Sequence, residues 1–448
     1  MRVQERSCLA WPAGWRLSGE LKGEVAQSGG RGRTTNKHGG GAQRRGPPGT
    51  LAGAPMSADE RGTAMRKLAR ALLVVPLAGM GFAALAGPAA SQPVRARACS
   101  GWQVVPSPSP GPAGLAAVAA TSATDAWAVG NRLTPGGSYR TLIEHWNGKA
   151  WKVVPSPNPA GGTSPTDTLG GVVALSRTNA WAAGFYEKTT TDFRTLIEHW
   201  NGTRWSVVPS PNSGTGANTL AAMAAVSATD IWAVGFRQGA SGRRTLTEHW
   251  NGRRWAIAPS PNVGSGDNLL FGTAPDRAGG AWAVGSDSVS FGRALALHRI
   301  GPSWSIVPTA NPGQGDRFLQ AVTAPRARVA LAVGSYLTAS RTLTLAERWN
   351  GSAWSRVPSA SPGADYNSLQ AVAATSTTNG WAVGAQRAAF GQRFLTLAER
   401  WNGTSWTAAA SPSPGQGDDW LFGIAAIPHG GFWAVGNAGA ATLTEHHC

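Results

Sequence analysis

The sequence predicts an all-β fold: a seven-bladed β-propeller of four-stranded antiparallel blades, its ring closed by the N-terminal strand and a disulfide. Three observations carry this expectation. A Trp-Ala-Val-Gly motif begins at residues 127, 181 (Ala for Val), 232, 282, 331 (Leu for Trp), 381 and 433, which sets seven units of about 50 residues in tandem. Each unit divides into four short apolar or alternating runs separated by turn residues, a pattern for strands and not for helices. The two ends of the repeat region are complementary fragments of one unit. Thr442 to Cys448 match only a third strand, and the segment from Trp102 matches only a fourth.

In the first unit the runs are 115–120, 126–130, 140–146 and 151–155. The first run is built from small residues, which suits the innermost strand, where seven blades crowd about the axis. The third and fourth runs are joined by Trp-Asn-Gly-x-x-Trp, as in Trp146 to Trp151 and Trp250 to Trp255. Asn-Gly supplies positive φ for a tight hairpin, and the flanking tryptophans pack across it. The fourth unit departs from the pattern, reading Arg299-Ile300-Gly301-Pro302-Ser303-Trp304. Superposing the end fragments on the Trp-Asn-Gly hairpin places Cys448 at the Asn and Cys99 at the Gly. The expected disulfide replaces the missing peptide link, in a compartment that permits it.

The region before the repeats reads as addressing. Residues 65–86 carry a basic start, an apolar stretch and Ala84-Leu85-Ala86, the arrangement of a secretory signal peptide. Residues 1–64 are expected to be a spurious or disordered upstream extension, with the translation start at Met56 or Met65; 87–98 form a flexible lead and 99–448 the propeller. The expected location is secreted and extracellular. Of 40 Lys+Arg and 23 Asp+Glu, 15 and 5 lie in residues 1–98, leaving 25 and 18 for the repeats. Those bases are dispersed among blades and not gathered into a stripe interleaved with stacking aromatics, so nucleic acid is not an expected partner. The Trp-rich part has no apolar run long enough for a transmembrane helix.

The motifs Val-Val-Pro-Ser-Pro-Asn, Trp-Ala-Val-Gly and Thr-Leu-Ile-Glu-His-Trp-Asn-Gly-x-x-Trp resemble those of a family of secreted bacterial β-propeller repeat proteins. More distantly they are similar to the BNR or Asp-box propellers and to the photosystem II assembly-factor propellers. The resemblance spans residues 102–447 and implies the fold more than an activity. The Ser-x-Asp-x-Gly of an Asp-box is absent, Asn-Gly standing in its place, and no arginine cluster of the sialidase kind can be identified.

Candidate site residues fall in two sets. Glu-His or Glu-Arg recurs before the hairpin Trp, as in Glu144-His145 and Glu347-Arg348. Successive strand residues point to opposite faces, so the pair is expected to pack between blades and not to hold a metal. Arg140, Arg194, Arg244, Arg293, Arg341 and Arg393 mark the start of third strands. Asp167, Asp267, Asp316, Asp365, Asp418 and Asp419 lie between the fourth strand of one blade and the first of the next. Both sets fall at one end of the strands, so a ring of salt bridges or a charged mouth for a polar ligand is expected there. No Gly-x-Ser-x-Gly, His-Glu-x-x-His, P-loop or Cys-x-x-Cys motif is present.

The expected function is a non-catalytic binding scaffold, a monomer without cofactor or metal. Its ligand face is the end carrying the loops between blades and between second and third strands, such as 131–139 and 185–193. The expected partner is an extracellular protein or a cell-envelope glycan. The alternatives are a glycan-active enzyme, hydrolase or lyase, with carboxylates at that face, and a lectin with one shallow site per blade.

Overall fold

The computed structural model describes residues 101–161, 165–288, 292–312 and 315–448. The signal peptide, the segments flanking it and Cys99 lie outside these. The described residues form seven four-stranded antiparallel sheets. Blade 1 has strands a (Ala113–Ser122), b (Asp125–Leu133), c (Tyr139–Trp146) and d (Trp151–Val153). Blades 2 to 6 repeat this plan over 167–207, 218–258, 268–306, 317–356 and 366–409. Blade 7 takes strands a to c from Asp419–Ala426, Phe432–Ala438 and Ala441–His447, and its strand d is Trp102–Val104 from the other end of the chain. The register of that last pairing is Trp102↔His447, Gln103↔His446 and Val104↔Glu445. Each strand a packs against those of both neighbouring blades, strand a of blade 7 meeting strand a of blade 1, so the seven form a closed inner ring.

Tryptophan fastens blade to blade. The strand-b Trp of one blade inserts between the two hairpin tryptophans of the next: Trp127 against Trp200 and Trp205 at 4.9 and 5.2 Å, Trp433 against Trp146 and Trp151 at 5.0 and 5.1 Å. At the junction of blades 6 and 7, Trp102 and His447 replace the hairpin pair around Trp381. Leu331 occupies the strand-b position of blade 5 and packs with Trp401 and Trp406. Buried aromatic pairs of this kind add about 0.5–1.5 kcal/mol each beyond their area.

The Gly of Trp-Ala-Val-Gly has one cause in every blade. Strand a carries a β-bulge opposite it, at Ala221 in blade 3, which brings the Thr219 carbonyl over Gly235. A Cβ on Gly235 would overlap that oxygen, so only glycine fits.

The a–b turns and c–d hairpins share one end of the blades, here the hairpin end. Connections there are two to five residues long. At the opposite, loop end the d-to-a connections run from eight to thirteen residues.

Candidate binding face

The loop end is held by the repeated Pro-Ser-Pro-Asn. In the d-to-a loop the Asn side chain turns back to strand c of its own blade: Asn158 Oδ1 accepts from Thr141 N–H at 2.9 Å, Asn212 from Thr195 at 3.0 Å, and Asn262 from Thr245 at 2.9 Å. Ser361, Ser413 and Ser109 do the same for Thr344, Thr396 and Thr442. These side chains satisfy strand-c donors that the short strand d does not reach.

The predicted arginines and aspartates share this end, but they do not form a uniform ring. Two ion pairs join neighbouring blades as expected, Arg140 with Asp167 at 2.7 Å and Arg393 with Asp419 at 3.4 Å. Asp267, Asp316 and Asp418 use their carboxylates differently. Each accepts a backbone N–H from the preceding blade at the entry to strand c: Arg243 at 2.7 Å, Gly292 at 2.6 Å and Phe394 at 2.9 Å. Arg194 pairs with Asp192 at the start of its own strand c, Arg293 with Asp287 and Asp365 with Arg387, partners the sequence pattern does not single out. Arg244 donates to the carbonyls of Gly264 and Ser265. The exposed Arg341 enters no ion pair with a described residue. The reason is local: a d-to-a loop has more unpaired backbone groups than charged neighbours, and a carboxylate that finds an N–H first is spent on it.

The Glu-His pairs divide between faces. Glu144, Glu198, Glu248, Glu347, Glu399 and Glu445 are wholly buried, each on strand c. Ser107 Oγ donates to Glu144 at 2.6 Å, Ser359 to Glu399 at 2.8 Å and Ser411 to Glu445 at 3.0 Å, always from the preceding blade. Burial pushes these carboxyls up, to about 7 for Glu144, Glu347 and Glu399, about 8 for Glu248 and Glu445, and about 9 for Glu198. In blade 4 the fully buried Leu297 takes the position. The histidines point the other way: His145 lies 4.3 Å from the Trp127 ring and binds Asp125 at 2.8 Å, and His298 stacks 3.8 Å from Trp282 and binds Asp276 at 2.9 Å. Among the described residues no group of three His, Cys, Asp or Glu is placed to hold a metal ion.

One constellation at the loop end is not repeated. Tyr366 opens strand a of blade 6 and Phe394 precedes its strand c (Leu395–Trp401), while Trp420 and Phe422 lie on strand a of blade 7. Their rings form a continuous series: Tyr366 to Phe394 at 5.1 Å, Phe394 to Trp420 at 4.7 Å, and Trp420 stacked on Phe422 at 5.7 Å. The Arg387 guanidinium lies 4.6 Å from the Phe394 ring centre and 5.4 Å from that of Phe390, and is held by Asp365 at 2.6 Å. Phe390, in the b–c loop, is 82% exposed. Phe422 occupies the bulge position, which is Ala116 in blade 1 and Ala221 in blade 3. Single-blade residues such as Tyr366 and Trp420 stand out in the sequence as exceptions to the repeat. Their meeting with Phe394 and Arg387 depends on a loop geometry that the repeat does not encode.

No family model and no curated protein matches this chain. Solved structures do. A structure of YCF48 bound to D1 peptide is 11% identical, with a TM-score of 0.48 over 78% of this chain and 95% of that one. A protein of unknown function from Dyadobacter fermentans is 10% identical, with a TM-score of 0.42 over 78% of this chain and 99% of that one. A chain of the mitotic checkpoint complex is 11% identical, with a TM-score of 0.47 over 75% and 89%.

Proposed function

We propose that this protein is a secreted, non-catalytic binding scaffold, and that it takes an extracellular protein or cell-envelope glycan on the loop end, over the aromatic platform of blades 6 and 7. The observation that carries the reading is the platform itself: four linked rings rooted in the buried Trp420, the Arg387 guanidinium laid between Phe394 and Phe390, and the apolar tip Phe390 facing water. An exposed aromatic of that size, rimmed by Arg387, Arg393 and Asp365, is the composition of a recognition patch. Two findings weigh against the alternatives. Asp418 Oδ1 accepts from Phe394 N–H, and Asp419 Oδ2 from Gly415 N–H and Arg393, ties to the loop frame that weigh against an acid and base pair of the glycoside-hydrolase kind. The tryptophans that recur in the blades are buried between sheets, as Trp127, Trp181 and Trp232 are, which leaves a per-blade lectin without its stacking rings. We further propose that the ring is locked by a Cys99–Cys448 disulfide beside the Trp102↔His447 pair, worth up to about 5 kcal/mol by loop-closure entropy.

The test is a pull-down from cell-envelope extract and a glycan array, run with the native chain and with Phe390→Ala and Arg387→Ala. Saturable binding lost in both variants, with an unchanged melting temperature, is the expected result. Binding that survives both would move the ligand site elsewhere, and release of a cleaved product would replace the scaffold with an enzyme. Thiol titration of the exported chain tests the disulfide, which predicts no free thiol.

A further inference from the structure

The hairpin end carries a different electrostatic surface, and no loop-end residue is involved in it. The a–b turns and c–d hairpins of blades 2 to 5 present Arg204, Arg253, Arg254, Arg277, Arg326 and Arg328, all exposed, and none is in an ion pair with a described residue. The only side-chain carboxylates at this end among the described residues are Asp125, Asp230 and Asp276, and each is already bound by a histidine: His145, His249 and His298. The arc is therefore uncompensated, where the loop end pairs Arg140, Arg194, Arg293, Arg387 and Arg393 with its own carboxylates.

The backbone of the turns that carry these arginines is ordered. Asn251 Oδ1 accepts from the N–H groups of both Arg253 and Arg254 at 3.0 Å, so the hairpin that bears them is preformed. Arg277 and Arg328 sit at φ of 61° and 62°, a left-handed conformation that a glycine or asparagine would adopt more easily. At the centre of the arc, on blade 4, Arg299 takes the hairpin Trp position and lays its guanidinium over the Trp232 ring, and Ile300 at the next position, where other blades carry Asn, is 71% exposed and followed by a turn of only Gly301 and Pro302. Connections of two to five residues leave this end without the long loops that would wall a groove.

We propose that the hairpin end docks on a planar anionic lipid surface, the arginine arc of blades 2 to 5 contacting phosphate headgroups and Ile300 entering the interface. Arginine suits phosphate because its guanidinium offers paired donors that remain charged. A planar partner is favoured over a single polyanionic strand because the bases are spread over separate turns on four blades, and the hairpin tryptophans are packed between blades and not displayed for base stacking. The scaffold would then lie flat on a membrane with its loop end directed outward.

The test uses the full chain with vesicles of one part phosphatidylglycerol to three parts phosphatidylcholine at 0.1 M NaCl, read by flotation. The R253E/R254E/R326E/R328E variant is expected to lose about a hundredfold or more in vesicle affinity, since each basic residue near an anionic surface contributes about fivefold. Arg→Lys at the same four sites should retain most of it, and Ile300→Asp should lower the fraction that stays bound at 0.5 M NaCl. An unchanged melting temperature in each variant guards against misfolding. Equal vesicle binding by the native chain and the charge-reversed variant would overturn the proposal. So would binding to heparin or to single-stranded DNA as tight as binding to vesicles, which would make a soluble polyanion the partner.

Discussion

The two ends of the propeller use the same residue types to opposite effect. At the loop end Asp267, Asp316 and Asp418 cap strand c of the preceding blade, Asp167 and Asp419 bind both an N–H and an arginine, and Asn158 and its counterparts close the loops. At the hairpin end the turns are short, little backbone is left unpaired, and arginines stand free of carboxylates. A repeated charge is structural where long connections leave donors to satisfy. It is available for an external partner where they do not.

The comparison can be broken at several points. The largest effect is expected for glycine. Gly235→Val drives a side chain into the Thr219 carbonyl and should cost roughly 3–5 kcal/mol by chemical denaturation, whereas Gly301→Ala at the hairpin end, with φ of 64° and open space around it, should cost about 1 kcal/mol. Equal losses would mean that the bulge is not what demands glycine.

Next comes pH, which acts on the glutamates lying between the two ends. Their carboxyls are raised from an ordinary 4.5 to about 7–9, so over that interval the folded chain holds protons that the unfolded chain has released. Their effect on stability is therefore most favourable below about 4.5 and worsens as pH rises through the folded values. Melting temperature should fall between pH 7 and pH 9.5, a range in which His199, His446 and His447, lowered by burial, stay neutral. Glu248→Gln should flatten that slope, and a slope that does not change would remove the glutamates as its cause.

A smaller contrast sets Asp167→Ala against Arg326→Ala. The first leaves Arg140 and the Ala160 N–H without their acceptor and should cost about 2–3 kcal/mol. The second removes a bare charge and should change stability by about 0.5 kcal/mol or less. The smallest effect is expected for Phe390→Ala, neutral in melting temperature because the ring is exposed, yet decisive for ligand capture at the loop end.

How much of this could be read in advance follows from what repeats. Seven copies of the Trp-Ala-Val-Gly position and five of the Trp-Asn-Gly hairpin state the blade plan, because strand period and turn chemistry are local. The opposite orientation of Glu144 and His145 is equally legible, being a matter of alternation along a strand. The partner of each loop-end charge is not. Whether Asp316 meets an arginine or the Gly292 N–H depends on the path of a loop from another blade, and a spacing rule carries no information about that path. The platform of Tyr366, Phe394, Trp420 and Phe422 escapes for the same reason: its members come from two blades and are joined only in space. The basic arc is the inverse case, since its residues look dispersed in sequence and gather at one end only once every turn is assigned to its side.

The seam in blade 7 has a mechanical consequence. Trp102 and His447 form the pair nearest to both chain ends, with Gln103↔His446 and Val104↔Glu445 behind it. Tension applied through the residue before Trp102 and through Cys448 acts across this ladder and not along it. The pairs therefore open one after another, each carrying the whole force in turn, and the blade peels at a low threshold. A covalent link between residues 99 and 448 would divert the pull around the seam, making a ring that unzips easily into one whose weakest junction bears no load.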